Sequence, residues 1–227
     1  MQIDLNSPVA KWRRDLVTDI RVGDTRDDWD MNGGGFPSVP DRHIEVRHPT
    51  DGYIVTMSAC NLHALQEQFM RVKHRCAAIL EIGVNHNATP TPMTSTNMFL
   101  SMKHRETIYL GVDINDKSYL NNPGENVFTL QSDSGLISDV ISYANTVGIR
   151  HFDFIFIDGW HSVNQVLREW EYTSWLGPNG IVGFHDTAVH PGPALFVKNL
   201  DRDKWNVLEN SCGFAHHDFG IGFAWQK

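Results

Sequence analysis

The chain has little cysteine, no block of like charge and no long apolar run, and each absence narrows what it can be. Its three cysteines, Cys60, Cys76 and Cys212, are odd in number and far apart. They match neither a disulfide framework nor a zinc knuckle, which points to a reducing, cytoplasmic setting. No run of basic residues exceeds Arg13-Arg14 and the formal net charge is -8, so a generic nucleic-acid or anionic-membrane surface is disfavoured. No apolar stretch approaches membrane-spanning length, and the opening MQIDLNSPVAKWRRD lacks the apolar core of a signal peptide. Internal repeats and low-complexity tracts are absent. So is a Gly-x-Gly-x-x-Gly fingerprint after the first buried strand, which counts against a nicotinamide-dependent oxidoreductase.

What is present is a 227-residue chain, 41% apolar and rich in aromatics, long enough for one sizeable domain with a core. Its organising stretch runs from Phe152 to Gly192. Phe152 to Ile157 is apolar almost throughout and reads as a strand buried on both faces, ending in Asp158-Gly159. Ser162 and Gln165 form a capping box for a helix carrying Val163, Val166, Leu167 and Trp170. The turn Gly177-Pro178-Asn179-Gly180 then leads into a second buried strand, Ile181 to Phe184, which ends in His185-Asp186. Strand, helix, strand in this span is a βαβ unit with parallel strands roughly 5 Å apart. Asp158 and Asp186 therefore face one crevice, where open α/β sheets bind ligands. Two such carboxylates repel unless one is protonated or a cation lies between them, and His161 hangs over the same rim.

Residues 1–57 are punctuated by Gly33-Gly34-Gly35, Pro37, Pro40, Pro49 and Asp51-Gly52, and read as an N-terminal extension or a substrate-covering lid. Ile44 and Val46, and later Tyr53, Ile54 and Val55, suit short strands of a hairpin or lid there; the triple glycine precedes no helix and is not a phosphate loop. Residues 58–227 read as one domain. A helical stripe (Leu62, Leu65, Phe69, Val72) leads into strands at 77–82, 108–112 and 127–130, separated by a helix at 94–103. An amphipathic helix from Leu136 to Val147 precedes Phe152, and a further helix follows Pro193. Two final strands, 205–208 and 221–225, close antiparallel. The pattern predicts an α/β fold: a doubly wound, mostly parallel seven-stranded sheet with one antiparallel edge strand.

That order of elements, with the residues at its strand tips, resembles the class I S-adenosylmethionine-dependent methyltransferases. More narrowly it resembles the metal-dependent O-methyltransferase branch of macrocin-type and catechol-type enzymes. The resemblance covers about residues 76–227 and is carried by ILEIG at 79–83, GVDI at 111–114, FIFIDGWHS at 154–162 and GIVGFHDTAVHPG at 180–192. It implies that Glu81 and Gly83 flank the turn under the cofactor's methionine part, that Asp113 holds the ribose hydroxyls, and that Asp133 and Ser134 contact the adenine. Asp158 then borders the cofactor and, with Asp186 and Thr187, ligates a divalent ion such as Mg²⁺, Thr187 acting through water. His161 takes the general-base position. The sequence departs from the family after Gly83, where Asn85 and Asn87 stand in place of further glycines and a Pro-rich stretch follows.

The chemistry implied is methyl transfer from S-adenosylmethionine to a hydroxyl of a small polar substrate, such as a sugar or glycosylated metabolite. A relic of the fold that binds without catalysis is the non-enzymatic alternative. Strand alternation points His185 away from Asp186, as a core or neighbouring histidine. His190 suits either the substrate mouth or a plain loop, and Trp160 either a ligand wall or packing. Trp170 and Trp175 read as packing, and His216-His217-Asp218 as a solvated loop. No nucleic-acid or membrane partner is expected, and a homo-oligomer is compatible with the sequence.

Overall fold

The computed structural model describes residues 46–47, 54–55, 57–84, 94–161, 163–188, 190–210 and 219–227. Two short strands, β1 (Val46–Arg47) and β2 (Ile54–Val55), pair antiparallel. After α1 (Ala59–Lys73) come β3 (Ala78–Ile82), α2 (Ser95–Met102), β4 (Ile108–Asp113), β5 (Val127–Gln131), α3 (Ile137–Thr146) and β6 (Phe152–Ile157). The chain then runs through α4 (Val163–Glu169), a 3-10 turn at Trp170–Trp175, β7 (Leu176–His185), α5 (Pro191–Lys198), β8 (Trp205–Asn210) and β9 (Ile221–Gln226). The main sheet has seven strands in the order β5-β4-β3-β6-β7-β9-β8, parallel from β5 to β7. The reversed strand is β9, which pairs antiparallel with both β7 and β8 and so sits one place in from the edge. Strand order reverses beside β3, between β4 and β6, and that reversal opens the crevice at the carboxyl ends of the strands.

Both central strands are buried along their whole length, which is why they read as unbroken apolar runs. Alternation divides β6 between two cores. Ile155 and Ile157 join Leu80, Val182 and Phe184 under α3, α4 and α5, through Val140, Val166 and Phe196. Phe154 and Phe156 join Ile79, Tyr109 and Phe223 under α1 and α2. There Phe69 of α1 meets Phe99 of α2 edge-on at 5.4 Å, and both rings pack on Phe154, at 5.7 and 5.6 Å. Trp170 packs against Phe184, Phe196 and Trp205, a core role as its helical spacing suggested.

Helix starts follow local chemistry. Ser58 caps α1 by accepting from the Asn61 amide at 3.1 Å, and Thr94 caps α2 by accepting from Asn97 at 3.2 Å. The expected capping residue Ser162, the Asn85 to Pro92 loop and His216-His217-Asp218 lie outside the described residues. Most of the 1–57 extension does too.

Three details differ from the sequence reading. β7 begins at Leu176 rather than Ile181, and the expected turn is a bulge inside it: Asn179 is left-handed (φ 58) and the pairing with β6 jumps from Phe152–Leu176 to Phe154–Ile181. The helix of α4 stops at Glu169 and tightens into the 3-10 turn. Cys60 is disulfide-bonded while Cys76 is a buried free thiol, a pairing that spacing along the chain does not reveal. Among the described residues, no helix is long and apolar enough to cross a membrane.

Candidate active site

The tips of β3 and β6 meet at a single glycine. Gly83 has φ +80, and a Cβ there would lie 1.9 Å from the Asp158 carbonyl oxygen. Only glycine permits both the conformation and the approach. The two tips are stitched together by Asp158 N–H donating to Ile82 O at 2.8 Å, and Gly83 N–H donates to Val112 O at 2.9 Å. A crevice of about 570 Å³ opens over this junction, bordered by Gly83, Asp113, Asp133, Ser134 and Asp158, with Gly159, Trp160, Gln165 and Arg168. Five of the expected cofactor residues thus share one cavity, and Trp160, 46% exposed, stands at its wall.

Each lining residue is held in place. Asp113 accepts from the amides of Val84 (2.9 Å) and Asn115 (2.7 Å), and Lys117 Nζ lies 3.7 Å away. Asp133 accepts from the Gly135 amide at 2.8 Å, the Asx-turn that shapes the β5 exit. Ser134 donates its hydroxyl to Glu169 Oε1 at 2.5 Å and accepts from Gln165 Nε2 at 3.0 Å. Glu169 is fully buried, and burial lifts its carboxyl to about 7 against the opposing hydrogen bonds from Ser134 and Gln165. Nothing in the sequence pointed to Glu169, because its helical position reads as surface charge.

Glu81 stands apart. It borders Gly83 in sequence, but its side chain is fully buried among Ser95, Thr96 and Tyr109, all three of which donate to it, Ser95 at 2.5 Å and Thr96 at 2.9 Å. Burial raises its carboxyl to about 7, the three hydroxyls opposing. Its work is to fasten the first turn of α2 to β3.

Beside the crevice lies a cluster of two carboxylates and three imidazoles. His161 Nε2 lies 2.7 Å from Asp186 Oδ2 and 3.9 Å from Asp158 Oδ1. The first separation is an ion-pair distance, although the ring nitrogen is out of line for a hydrogen bond. His185 Nδ1 lies 3.1 Å from Asp158 Oδ1 and 3.2 Å from Asp186 Oδ1. His185 is therefore turned toward the carboxylates instead of away from them. Strand alternation fails at this position because Asp186, with φ 62, leaves the strand in a left-handed conformation. His190 stacks on His161 at 4.1 Å and 18°, and Gly192 N–H donates to His161 O at 3.1 Å, so the start of α5 braces the His161 loop. Thr187 lies one residue beyond, its side chain against the positions of Gly220 and Gly222.

Charge in the cluster is strongly coupled. Burial alone would depress His161, but the charges of Asp186 and Asp158 beside it push it up to about 10. His185 is likewise driven up to about 9, against its burial, by Asp186 and Asp158. Burial would raise Asp186, yet His185 and His161 hold it well below the ordinary carboxylate range.

No family model matches the sequence, and no curated protein matches it. Solved structures do. The O-methyltransferase from Bacillus cereus, in complex with SAH, aligns over 96% of each chain with TM-score 0.54 at 12% identity. TomG from Streptomyces achromogenes, an O-methyltransferase of tomaymycin synthesis in complex with SAM, aligns over 96% of this chain and 94% of its own, with TM-score 0.53 at 11% identity. The fold is the Rossmann-like methyltransferase fold. The MycE methyltransferase of mycinamycin biosynthesis, in complex with Mg, SAH and mycinamycin VI, shares this fold with TM-score 0.50 at 19% identity. Its alignment covers 72% of this chain and 48% of MycE, so the chain spans about half the length of the MycE structures it matches.

Proposed function

We propose that this chain is an S-adenosylmethionine-dependent O-methyltransferase, assisted by a divalent cation and acting on a hydroxyl of a small polar molecule such as a sugar or glycosylated metabolite. One observation carries the reading. Asp158 belongs to both halves of the site: it borders the crevice and reaches the imidazoles beside Asp186. A donor in the crevice and an acceptor at the cluster would therefore meet across one residue. The solved structures of the same fold, named with bound SAM or SAH, support the choice of cofactor.

In the crevice, Asp113 suits the ribose diol, and Ser134 with Gln165 suits the adenine edge. Methyl transfer is an in-line displacement: the acceptor oxygen forms a bond to the methyl carbon as the carbon–sulfur bond breaks, leaving SAH. The acceptor's proton must leave, and in this reading His161 Nε2, at the rim beside Asp186, takes it. Asp186 and Asp158 favour the protonated imidazole, so the base form of His161 calls for a cation in its place beside those carboxylates. Asp158 and Asp186, whose donor atoms gather with His185 within 4.8 Å, fit a divalent cation. When bound, such an ion supplies positive charge that replaces the imidazolium as partner to the carboxylates, and it acidifies a substrate hydroxyl.

The test is calorimetric titration of the full chain with SAM, SAH and NAD. A mass-spectrometric search for a 14-dalton gain (the mass of the CH₂ that replaces hydrogen) in a panel of sugars and glycosides would follow. Binding of SAM and SAH but not NAD supports the reading. NAD binding alone, or transfer to nitrogen but never to hydroxyl acceptors, contradicts it.

A further inference from the structure

Mg²⁺ prefers an all-oxygen shell that keeps several waters, whereas imidazole nitrogen suits the later first-row transition ions. The rim here is rich in nitrogen. His185 is 2% exposed, and its Nδ1 sits at nearly equal distance from one oxygen of each carboxylate, 3.1 and 3.2 Å. Neighbouring ligands around a six-coordinate ion with bonds near 2.1 Å are about 3 Å apart, so these are the edge lengths of a coordination shell. Nδ1 is within hydrogen-bond reach of Asp158 Oδ1 and is almost as close to Asp186, so the one ring nitrogen faces both carboxylates. A second group of donors, His161, Asp186 and His190, shares Asp186 and adds two further imidazoles to the same rim.

We infer that His185 Nδ1 joins Asp158 and Asp186 as a direct ligand, and that the ion held there is a divalent transition metal of the cobalt, nickel or zinc kind in preference to Mg²⁺. The inference rests on the metal-assisted reading above and adds to it the nitrogen donor and the class of ion. His161 remains beside the ion as the group that receives the proton. His185 forms the buried end of the site and His190 backs His161 by stacking.

The experiment uses the full chain stripped of metal with a chelator. Calorimetric titration with Mg²⁺ and with Co²⁺ is compared between wild type and His185→Asp, with Asp158→Asn identifying which heat belongs to this site. The expected result is one Co²⁺ per chain, lost in Asp158→Asn. In His185→Asp the preference for Co²⁺ over Mg²⁺ falls by more than about tenfold, the scale of losing one metal-orienting or ligating group. An unchanged preference overturns the inference. Should His185→Asp fail to fold, electron spin-echo spectroscopy of wild type loaded with Mn²⁺ decides instead. Nitrogen modulation supports an imidazole ligand, and its absence refutes one. If no divalent ion binds, both this inference and the metal half of the proposed function fail. SAH titration of the same sample tests the cofactor half separately.

Discussion

Replacing Gly83 with alanine is the sharpest perturbation of this architecture, because a single methyl group strikes the junction from which the site is built. The residue's φ of +80 lies where L side chains are strained, at a cost of roughly 1–2 kcal/mol. The new Cβ would lie 1.9 Å from the Asp158 carbonyl oxygen and 2.5 Å from its carbonyl carbon, both backbone atoms that no rotamer change can move. To reach an ordinary contact, the tips of β3 and β6 must separate by more than an ångström. Overpacking of this kind adds roughly 1–3 kcal/mol, for a total of about 2–5 kcal/mol. For a chain of this size, that lowers the melting temperature by about 4 °C at the least, at roughly 2–4 °C per kcal/mol. The separation also displaces Asp158, so SAH affinity should fall with stability. Differential scanning calorimetry and SAH titration of Gly83→Ala read both effects. A variant that melts within 1 °C of wild type and binds SAH equally well would refute the claim that this close approach shapes the site.

The remaining predictions address charge and packing. Asp186→Asn keeps a residue that tolerates the left-handed backbone and removes the main charge holding the proton on His161. The His161 pKa should fall from about 10 toward its ordinary 6.5, and an NMR titration showing no decrease would contradict the coupling. His161 and His185 gain stability from their carboxylate partners that is fully present below about pH 6.5 and is lost as pH rises through about 9 to 10. Asp186 contributes above its ordinary 3.8, and that contribution is lost as pH falls through its depressed folded value. Their combined contribution should therefore form a plateau between about pH 4 and 6.5 and decline from there toward pH 9 to 10, and Asp186→Asn should flatten that alkaline limb; an unaltered limb in melts across pH would count against the network. Tyr109→Phe deletes one of the three donors to buried Glu81 and should cost roughly 1–3 kcal/mol, read as a lower urea midpoint at unchanged slope. Phe154→Ala empties the centre of the Phe69, Phe99 and Phe154 cluster and should cost about 3–5 kcal/mol; a loss below 1 kcal/mol would show that the cluster is loosely packed.

The fold was legible because its central strands are buried on both faces and its helices on one. Phe152 to Ile157 announced a parallel strand, and Val140 and Ala144 announced the buried face of α3. The crevice was legible for the same reason: a polar residue ending an apolar run lies at a strand tip, and Asp113, Asp133, Ser134 and Asp158 all do. What escaped was set by tertiary contact. Glu169 looks like a solvated helix residue until Ser134 and Gln165 are folded against it. His185 follows the alternation rule only while the strand stays regular, and the left-handed Asp186 ends that regularity. Glu81 sits beside the crevice in sequence but spends its carboxylate on α2, because the α2 turn brings Ser95 and Thr96 beneath it. The Cys60 disulfide likewise depends on chain segments that spacing alone does not bring together.

The central claim is that a sulfonium donor occupies the cavity over the β3 and β6 tips and presents its methyl group to the cluster at Asp158. A crystal of the full chain grown with SAH tests it most directly. The account predicts the ribose at Asp113, the adenine between Ser134 and Trp160, and the sulfur on the side of Asp158 that faces Asp186. SAH bound elsewhere, or with its sulfur turned away from Asp158, would contradict it.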